Sequence, residues 1–115
     1  MFLMENLKLD IFEKLFDILN ERKSSSPESS YTAKLMHGGT KKICGKIIEE
    51  AAEVCEAALL EDKEHLKYEI CDLLFHTFVM ASYKNIELEE IRQELQRRFG
   101  VSGLVEKAGR SKNES

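Results

Sequence analysis

The sequence predicts an all-α protein with four main helices in a bundle. Apolar residues recur at intervals of three and four through successive segments, as they do on the buried face of an amphipathic helix. No segment alternates with period two for long enough to predict a strand. The 115 residues include one proline and no tryptophan, and 43% are apolar, which is typical of a helix-rich globular chain. The length predicts one domain at residues 1–99, followed by a basic, glycine-containing tail at 100–115.

Four long helices and one short helical piece are predicted, with short connections between them. They cover residues 5–22, 31–36, 41 to about 60, about 63–84 and about 88–99. A polar stretch separates the first two, and Gly38 with Gly39 ends the short piece. Thr40 is expected to cap the next helix, Asp62 to cap the one after it, and Asn85 to close that helix.

Composition argues against several classes of function. The formal charge of −4 and the pI of about 5.4 argue against a general nucleic-acid-binding surface. Glu5 and Lys8 interrupt the apolar start, so neither a signal peptide nor a membrane span is predicted, and the cytoplasm is the expected location. Cys44, Cys55 and Cys71 form no C-x-x-C pair and lie among apolar residues, which predicts small core residues in a reducing compartment.

Two of the helices each carry a tight set of carboxylates. The first set reads E-E-x-x-E at Glu49, Glu50 and Glu53, and the second reads E-x-x-D at Glu69 and Asp72. Residues three or four apart share a helix face, so each set points one way and its like charges repel. The helix that carries the second set is apolar almost all round, which predicts that it is buried. Carboxylates in such a place need partners.

Three interpretations of the acidic sets are open at this level. A divalent cation would neutralise them, and all-oxygen ligands favour magnesium, with manganese possible, over zinc. A buried salt-bridge network would need Lys46 or Arg98 as its base. An interface would supply bases from another chain. The number of acids favours the cation, because Lys46 is the only base within the two faces. His76, four residues after Asp72, is expected to be a satisfied core histidine or a support for the site.

The spacing of these acids resembles that of the all-α nucleoside triphosphate pyrophosphatases of the MazG-like superfamily. Three segments narrow the resemblance to the phosphoribosyl-ATP pyrophosphatases: 30–35 (SYTAKL), 46–53 (KIIEEAAE) and 69–76 (EICDLLFH). The resemblance extends over about residues 8–110. It implies magnesium-dependent hydrolysis of phosphoribosyl-ATP to phosphoribosyl-AMP and pyrophosphate, the second step of histidine biosynthesis, by a homodimer.

This resemblance leads to expected roles for individual residues. The expected metal ligands are two pairs of carboxylates, three residues apart within each pair: Glu50 and Glu53, and Glu69 and Asp72. Glu49 lies outside that pairing and is expected to position or deprotonate the attacking water. Lys46, together with Lys42 and Arg98, is expected to hold phosphates.

Two other functions are open. One is a MazG-like pyrophosphatase that clears non-standard nucleotides, and the other is a non-catalytic helical module whose acids bind a basic partner. For the assembly, four helices of one chain can hardly cover the helix at 66–83. A second subunit is therefore expected to complete the bundle as a homodimer.

Overall fold

The computed structural model describes residues 11–99, and all regular secondary structure within that range is α-helical. The helices are α1 (Ile11–Arg22), α2 (Tyr31–His37), α3 (Thr40–Leu59), α4 (Lys63–Tyr83) and α5 (Leu88–Phe99). The predicted all-α class is confirmed. The expected helical residues 5–10 and the expected tail at 100–115 lie outside the described residues. In the part of the chain that is described, no helix has the length and hydropathy that crossing a membrane requires.

The chain divides into two compact units between Asn85 and Ile86. The first unit contains α1 to α4, and the second contains α5. Within the first unit, α3 and α4 are joined by residues 60–62 and make the most extensive helix–helix contact. α1 packs on α2 and α4. The core of this unit draws on all four helices and consists of Leu19, Leu35, Met36, Ile43 and Val79.

Side-chain caps begin two of the helices. The Asp62 carboxylate accepts a hydrogen bond from the main-chain N–H of His65 at 3.1 Å, as predicted for the start of α4. The Ser30 hydroxyl oxygen accepts one from the N–H of Ala33 at 3.0 Å and begins α2. Asn85 follows the end of α4 with φ 63°, a left-handed conformation that asparagine tolerates. Local chemistry therefore places these boundaries near their predicted positions.

The start of α3 differs from the prediction. Thr40 was expected to cap the helix, but it is the first helical residue, and Gly39 occupies the cap position without a side-chain hydrogen bond. The backbone of Gly39 has φ 86°, where a side chain would be strained. The chain turns between α2 and α3 at this residue, so the turn requires glycine here.

The side of α3 that faces the interior is not centred on the apolar face of this helix. Ile43 and Ala57 are buried, and Glu50 is buried with them at 4% exposure. Ile48 and Leu59 are 70% and 84% exposed. Because α4 packs on the side that bears Ile43 and Glu50, the apolar residues around Ile48 stay exposed to solvent in a single chain.

The three cysteines were predicted to be core residues, and this prediction is wrong for the single chain. Cys44, Cys55 and Cys71 are exposed free thiols. Cys71 lies on α4, where Ile70 and Leu74 are each 42% exposed, so α4 is not buried all round either. The spacing correctly indicated shared apolar faces, but the other helices of the chain do not cover those faces.

Candidate metal centre

Four carboxylates from α3 and α4 converge inside the first unit. Glu50 and Glu53 lie about one turn apart on α3, and Glu69 and Asp72 lie about one turn apart on α4. Each offers one oxygen atom, and these four atoms all lie within 4.8 Å of one another. Glu50 and Glu69 are 4% and 6% exposed, and the other two are half-buried. The structure thus brings together all four residues that were expected to bind a metal.

Two oxygen atoms in this cluster lack a partner. Oε2 of Glu50 and Oε2 of Glu69 are buried and accept no hydrogen bond within residues 11–99. Leaving such an atom unsatisfied costs about 1–3 kcal/mol, and more for a charged group. A cation held by these oxygens would satisfy both of them. The all-oxygen donor set fits the hard cations magnesium and manganese.

Burial and contacts between carboxyl groups raise the pKa values of two residues of the cluster. Burial, followed by the neighbouring charge of Glu50, raises the pKa of Asp72 above its usual 3.8. A hydrogen bond with Glu69 is the main cause that raises the pKa of Glu53 above its usual 4.5. Both shifts favour a neutral carboxyl group, as expected where carboxylates lie close together in a partly buried site.

Among residues 11–99, two bases reach the edge of the cluster. Nζ of Lys46 lies 3.3 Å from Oε1 of Glu50 and 3.4 Å from Oε2 of Glu49. Burial acts to lower the pKa of Lys46, but the hydrogen bonds to these carboxylates outweigh it and the pKa is raised. Nε2 of His65 lies 3.2 Å from Oε1 of Glu69. One lysine and one histidine do not balance four carboxylates, so a salt-bridge network alone leaves the two buried oxygens unsatisfied.

A buried histidine supports the cluster from α4. His76 is 4% exposed, and its Nδ1 lies 2.7 Å from the main-chain oxygen of Asp72. A carbonyl oxygen only accepts, so Nδ1 carries the proton and donates it. In the neutral ring Nε2 therefore accepts a hydrogen bond from the Tyr31 hydroxyl at 3.0 Å. The Tyr31 hydroxyl is protonated at neutral pH, and burial raises its pKa further above the usual 10.0.

Comparison with known proteins places the chain in a family. The profile of the family described as "Phosphoribosyl-ATP pyrophosphohydrolase" matches residues 12–99. This chain belongs to that family. The matched range spans the whole of α2 to α5 and includes the four carboxylates. The expected family is confirmed.

Individual relatives in the phosphoribosyl-ATP pyrophosphohydrolase family match almost end to end. A protein named "Phosphoribosyl-ATP pyrophosphatase" from Geobacter metallireducens is 47% identical over 93% of this chain and 98% of its own length. Proteins of the same name from Neisseria meningitidis serogroup B and Geobacter sulfurreducens are 45% and 44% identical. They cover 83% and 92% of this chain, and 89% and 98% of their own lengths.

The remaining residues with expected roles lie outside the four-carboxylate cluster. The side chain of Glu49 is 56% exposed and contacts Lys46. Lys42 is exposed and shares a surface cavity with Lys46. Arg98 lies on α5, in the second unit, where its Nε lies 3.2 Å from Glu94. Their expected roles in this family member stay predictions.

Sequence reasoning overlooked two residues that the structure places at the cluster. His65 belongs to neither acidic set nor to the resembling segments, although it lies four residues before Glu69, and a side chain at that spacing on a helix reaches the next turn. Tyr31 was noticed only as part of the resembling segment 30–35. No local spacing links it to His76, because 45 residues separate the two in sequence.

Proposed function

We propose that this chain hydrolyses phosphoribosyl-ATP to phosphoribosyl-AMP and pyrophosphate, the second step of histidine biosynthesis. The proposal is carried by four carboxylate oxygens within 4.8 Å, two buried carboxylate oxygens without a partner, and membership of this family. The relatives named phosphoribosyl-ATP pyrophosphatase cover most of the chain and support the choice of substrate. The proposed location is the cytoplasm, in keeping with three free thiols.

Magnesium is the proposed cofactor, and manganese is the alternative. Glu50, Glu53, Glu69 and Asp72 would hold it, because they supply a charged, all-oxygen donor set. When bound, such a cation supplies positive charge to phosphate oxygens and makes water more acidic. The protein contributes the arrangement of the four carboxylates. His76 maintains it by binding the main chain at Asp72, and His65 does so by contacting Glu69.

The chain's own residues have proposed parts in the hydrolysis. A water oxygen forms a bond to the α-phosphorus, and the bond from that phosphorus to the oxygen bridging the α- and β-phosphates breaks. Glu49 is the proposed acceptor of the water proton, since it is exposed and outside the metal-binding set. Lys46, with its raised pKa, stays protonated and donates to a phosphate oxygen. Lys42 and Arg98 are proposed as further phosphate contacts.

A homodimer is the proposed assembly. Large apolar side chains remain 42–84% exposed on α3, on α4 and in the loop between them: Ile48, Leu59, Leu60, Tyr68, Ile70 and Leu74. Exposed apolar area of this extent is unusual for a monomer and is typical of an interface. A second copy of the chain would bury these side chains together with the three exposed cysteines.

The decisive experiment is pyrophosphate release from phosphoribosyl-ATP with magnesium and with EDTA. We expect release that depends on magnesium and is faster than from ATP, because the phosphoribosyl group supplies contacts that ATP lacks. Glu50→Gln should be inactive, whereas Glu56→Gln, on the exposed side of α3, should retain activity. Preference for dCTP or dUTP would instead identify a pyrophosphatase for non-standard nucleotides. Absence of turnover on every nucleotide would favour a non-catalytic helical module.

A further inference from the structure

A small cavity rich in lysine opens next to the carboxylate cluster. Its volume is about 230 Å³, and it is lined by Tyr31, Lys34, Leu35, Lys42 and Lys46. Among the described residues that line it, three are lysines and none is acidic. Lys46 joins the two sites, because its ammonium group also contacts Glu50 in the cluster. Lys46 therefore lies both at the edge of the carboxylate cluster and in the wall of the cavity.

The position of Lys42 depends on Gly38. A methyl group in place of the Gly38 hydrogen would collide with Cδ of Lys42 and lie 3.1 Å from its Cβ. The stem of Lys42 thus lies across the space that glycine leaves open at the end of α2. Gly38 has φ −72° and ψ −17°, an ordinary helical conformation, so its backbone does not need glycine. What the absent side chain provides is room for the lysine.

The positive charge in the cavity is not balanced. Within residues 11–99, the ammonium groups of Lys34 and Lys42 form no ion pair or hydrogen bond, whereas Lys46 is paired with Glu49 and Glu50. Positive charges gathered on the wall of one cavity, without a local anion, attract and hold an anionic ligand. A phosphate group suits them, because ammonium groups donate to its oxygens as point charges.

We propose that Lys34 and Lys42, with Lys46, bind the pyrophosphate end of the substrate and hold it as the leaving group. This inference rests on the proposed function. When the bond between the α-phosphorus and the bridging oxygen breaks, its electron pair stays on that oxygen, which leaves as part of pyrophosphate. The leaving group gains negative charge at that moment, so the lysines bind it more strongly in the transition state than in the substrate. Lys34 is thereby assigned a binding role that the acidic motifs do not indicate.

The test measures binding of inorganic pyrophosphate by calorimetry in magnesium-containing buffer. Lys34→Met and Lys42→Met should each weaken pyrophosphate binding by about tenfold or more, the loss expected for one charge-assisted hydrogen bond. Lys34→Arg, which keeps the charge, should retain most of the affinity. Lys14→Met serves as the control, because Lys14 is exposed on α1 and does not line the cavity. It should bind pyrophosphate like wild type.

Gly38→Ala provides a second, independent test, since it displaces the side chain of Lys42 without removing a charge. Its affinity for pyrophosphate should fall toward that of Lys42→Met. Equal pyrophosphate binding by wild type, Lys34→Met and Lys42→Met would overturn the proposal, as would undetectable binding by the wild type. Ribose 5-phosphate is the second probe and should bind all variants alike. If the lysine variants weaken ribose 5-phosphate but spare pyrophosphate, the cavity holds the other end of the substrate and the proposal is wrong.

The outcome for the reaction is separate from the outcome for the cavity. Lysine-dependent binding of pyrophosphate, without turnover of phosphoribosyl-ATP by the wild type, would reject the proposed function and keep the anion site. Turnover of phosphoribosyl-ATP that is unaffected in Lys34→Met, together with unchanged pyrophosphate binding, would keep the function and reject the site.

Discussion

Tyr31 and His76 are joined by a 3.0 Å hydrogen bond between the tyrosine hydroxyl and Nε2 of the histidine. His76 also donates from Nδ1 to the main-chain oxygen of Asp72 at 2.7 Å. This chain of two hydrogen bonds connects the first residue of α2 to the helix that carries half of the carboxylate cluster. The short helix α2 is therefore more than a connection, because it completes the hydrogen bonding of a buried histidine beside the site.

Removing the Tyr31 hydroxyl should destabilise the protein. Tyr31→Phe leaves Nε2 of His76 without its donor, at a cost of about 1–3 kcal/mol for an unsatisfied buried acceptor. Thermal denaturation should show a fall of several degrees, since 1 kcal/mol shifts the melting temperature of a domain this size by roughly 4–8 °C. Tyr83→Phe is the matched control, because the Tyr83 hydroxyl makes no hydrogen bond within residues 11–99. Equal melting of Tyr31→Phe and wild type would show that the hydrogen bond is dispensable.

Asp72→Asn separates the metal interpretation from the salt-bridge interpretation. In a metal site the carboxylates repel when the ion is absent, by about 4 kcal/mol for two charges 4 Å apart at an effective dielectric of 20. The variant should therefore melt no lower than wild type in EDTA. It should lose most of the stabilisation by magnesium, which for wild type is about 2.7 kcal/mol at a hundredfold excess over Kd.

The salt-bridge interpretation predicts the opposite for Asp72→Asn. Removing one partner of a buried pair strands the other, at a cost of roughly 3–5 kcal/mol with or without magnesium. Thermal melts of both proteins in EDTA and in magnesium distinguish the two cases. Asp17→Asn, at an exposed position on α1, controls for loss of one negative charge. Strong destabilisation of Asp72→Asn in EDTA, combined with retained activity, would reject the metal site.

Stability of the metal-free protein should fall as pH rises above 3.8 and 4.5, the usual pKa values of the Asp72 and Glu53 carboxyl groups. The pKa values of Asp72 and Glu53 are raised in the folded state, the first mainly by burial and the second mainly by its hydrogen bond with Glu69. A raised carboxyl pKa stabilises the fold fully below the unfolded value, and this stability is lost as pH rises through the folded value. Melting temperatures of chelator-treated protein across this range provide the measurement.

Two controls sharpen the pH experiment. Asp72→Asn should flatten the dependence, and saturating magnesium should reverse it, because a cation binds the deprotonated carboxylates. Hydrogen bonds from Arg97 and Arg98 lower the pKa of Glu94 to about 2, so its contribution is lost only as pH falls from 4.5 toward 2, below the measured range. A melting temperature that rises with pH in the metal-free wild type would contradict the prediction.

Two glycines near the start of α3 should respond to alanine with opposite signs. Gly45 lies inside the helix, and an added Cβ would meet no atom within 4 Å, so Gly45→Ala should stabilise the protein by about 1 kcal/mol. Gly39 has φ 86°, and Gly39→Ala should destabilise it by about 1 kcal/mol or more. Denaturant titrations of both variants test this pair. A loss of stability in Gly45→Ala would show that this position is covered in the assembled protein.

A charge on the exposed apolar face should weaken the proposed homodimer. Leu74 is 42% exposed on α4, and Leu74→Lys would place an ammonium group in the interface. We expect the dissociation constant to rise roughly a hundredfold, as for a contact worth 2–3 kcal/mol. Light scattering over a dilution series measures it. Ile18→Lys, on α1 and outside the proposed face, is the control. A wild type that is already monomeric at micromolar concentration would refute the dimer.

Much of the local structure was predictable because helical periodicity and caps are properties of neighbouring residues. Asp62 begins α4 as predicted, since its carboxylate reaches the N–H three residues ahead. The start of α3 was not predictable in the same way. Thr40 is a good capping residue in isolation, but the turn from α2 requires the positive φ of Gly39, and the cap position moves to the glycine.

The amino-acid sequence by itself determined the all-α class, the family and the four acids that share two helix faces. The helical class and the shared faces follow from the spacing of residues along single helices, and the family follows from the resemblance of the segments 30–35, 46–53 and 69–76. Which faces turn inward was decided only by the packing of α3 on α4. Glu50 and Glu69 became buried, while Ile48 and three cysteines stayed outside. Hydrophobicity alone would bury Ile48 and the cysteines and leave the two glutamates exposed. The tertiary structure overrides it because helices pack on whole faces, so burying one side of α3 against α4 leaves its opposite side exposed.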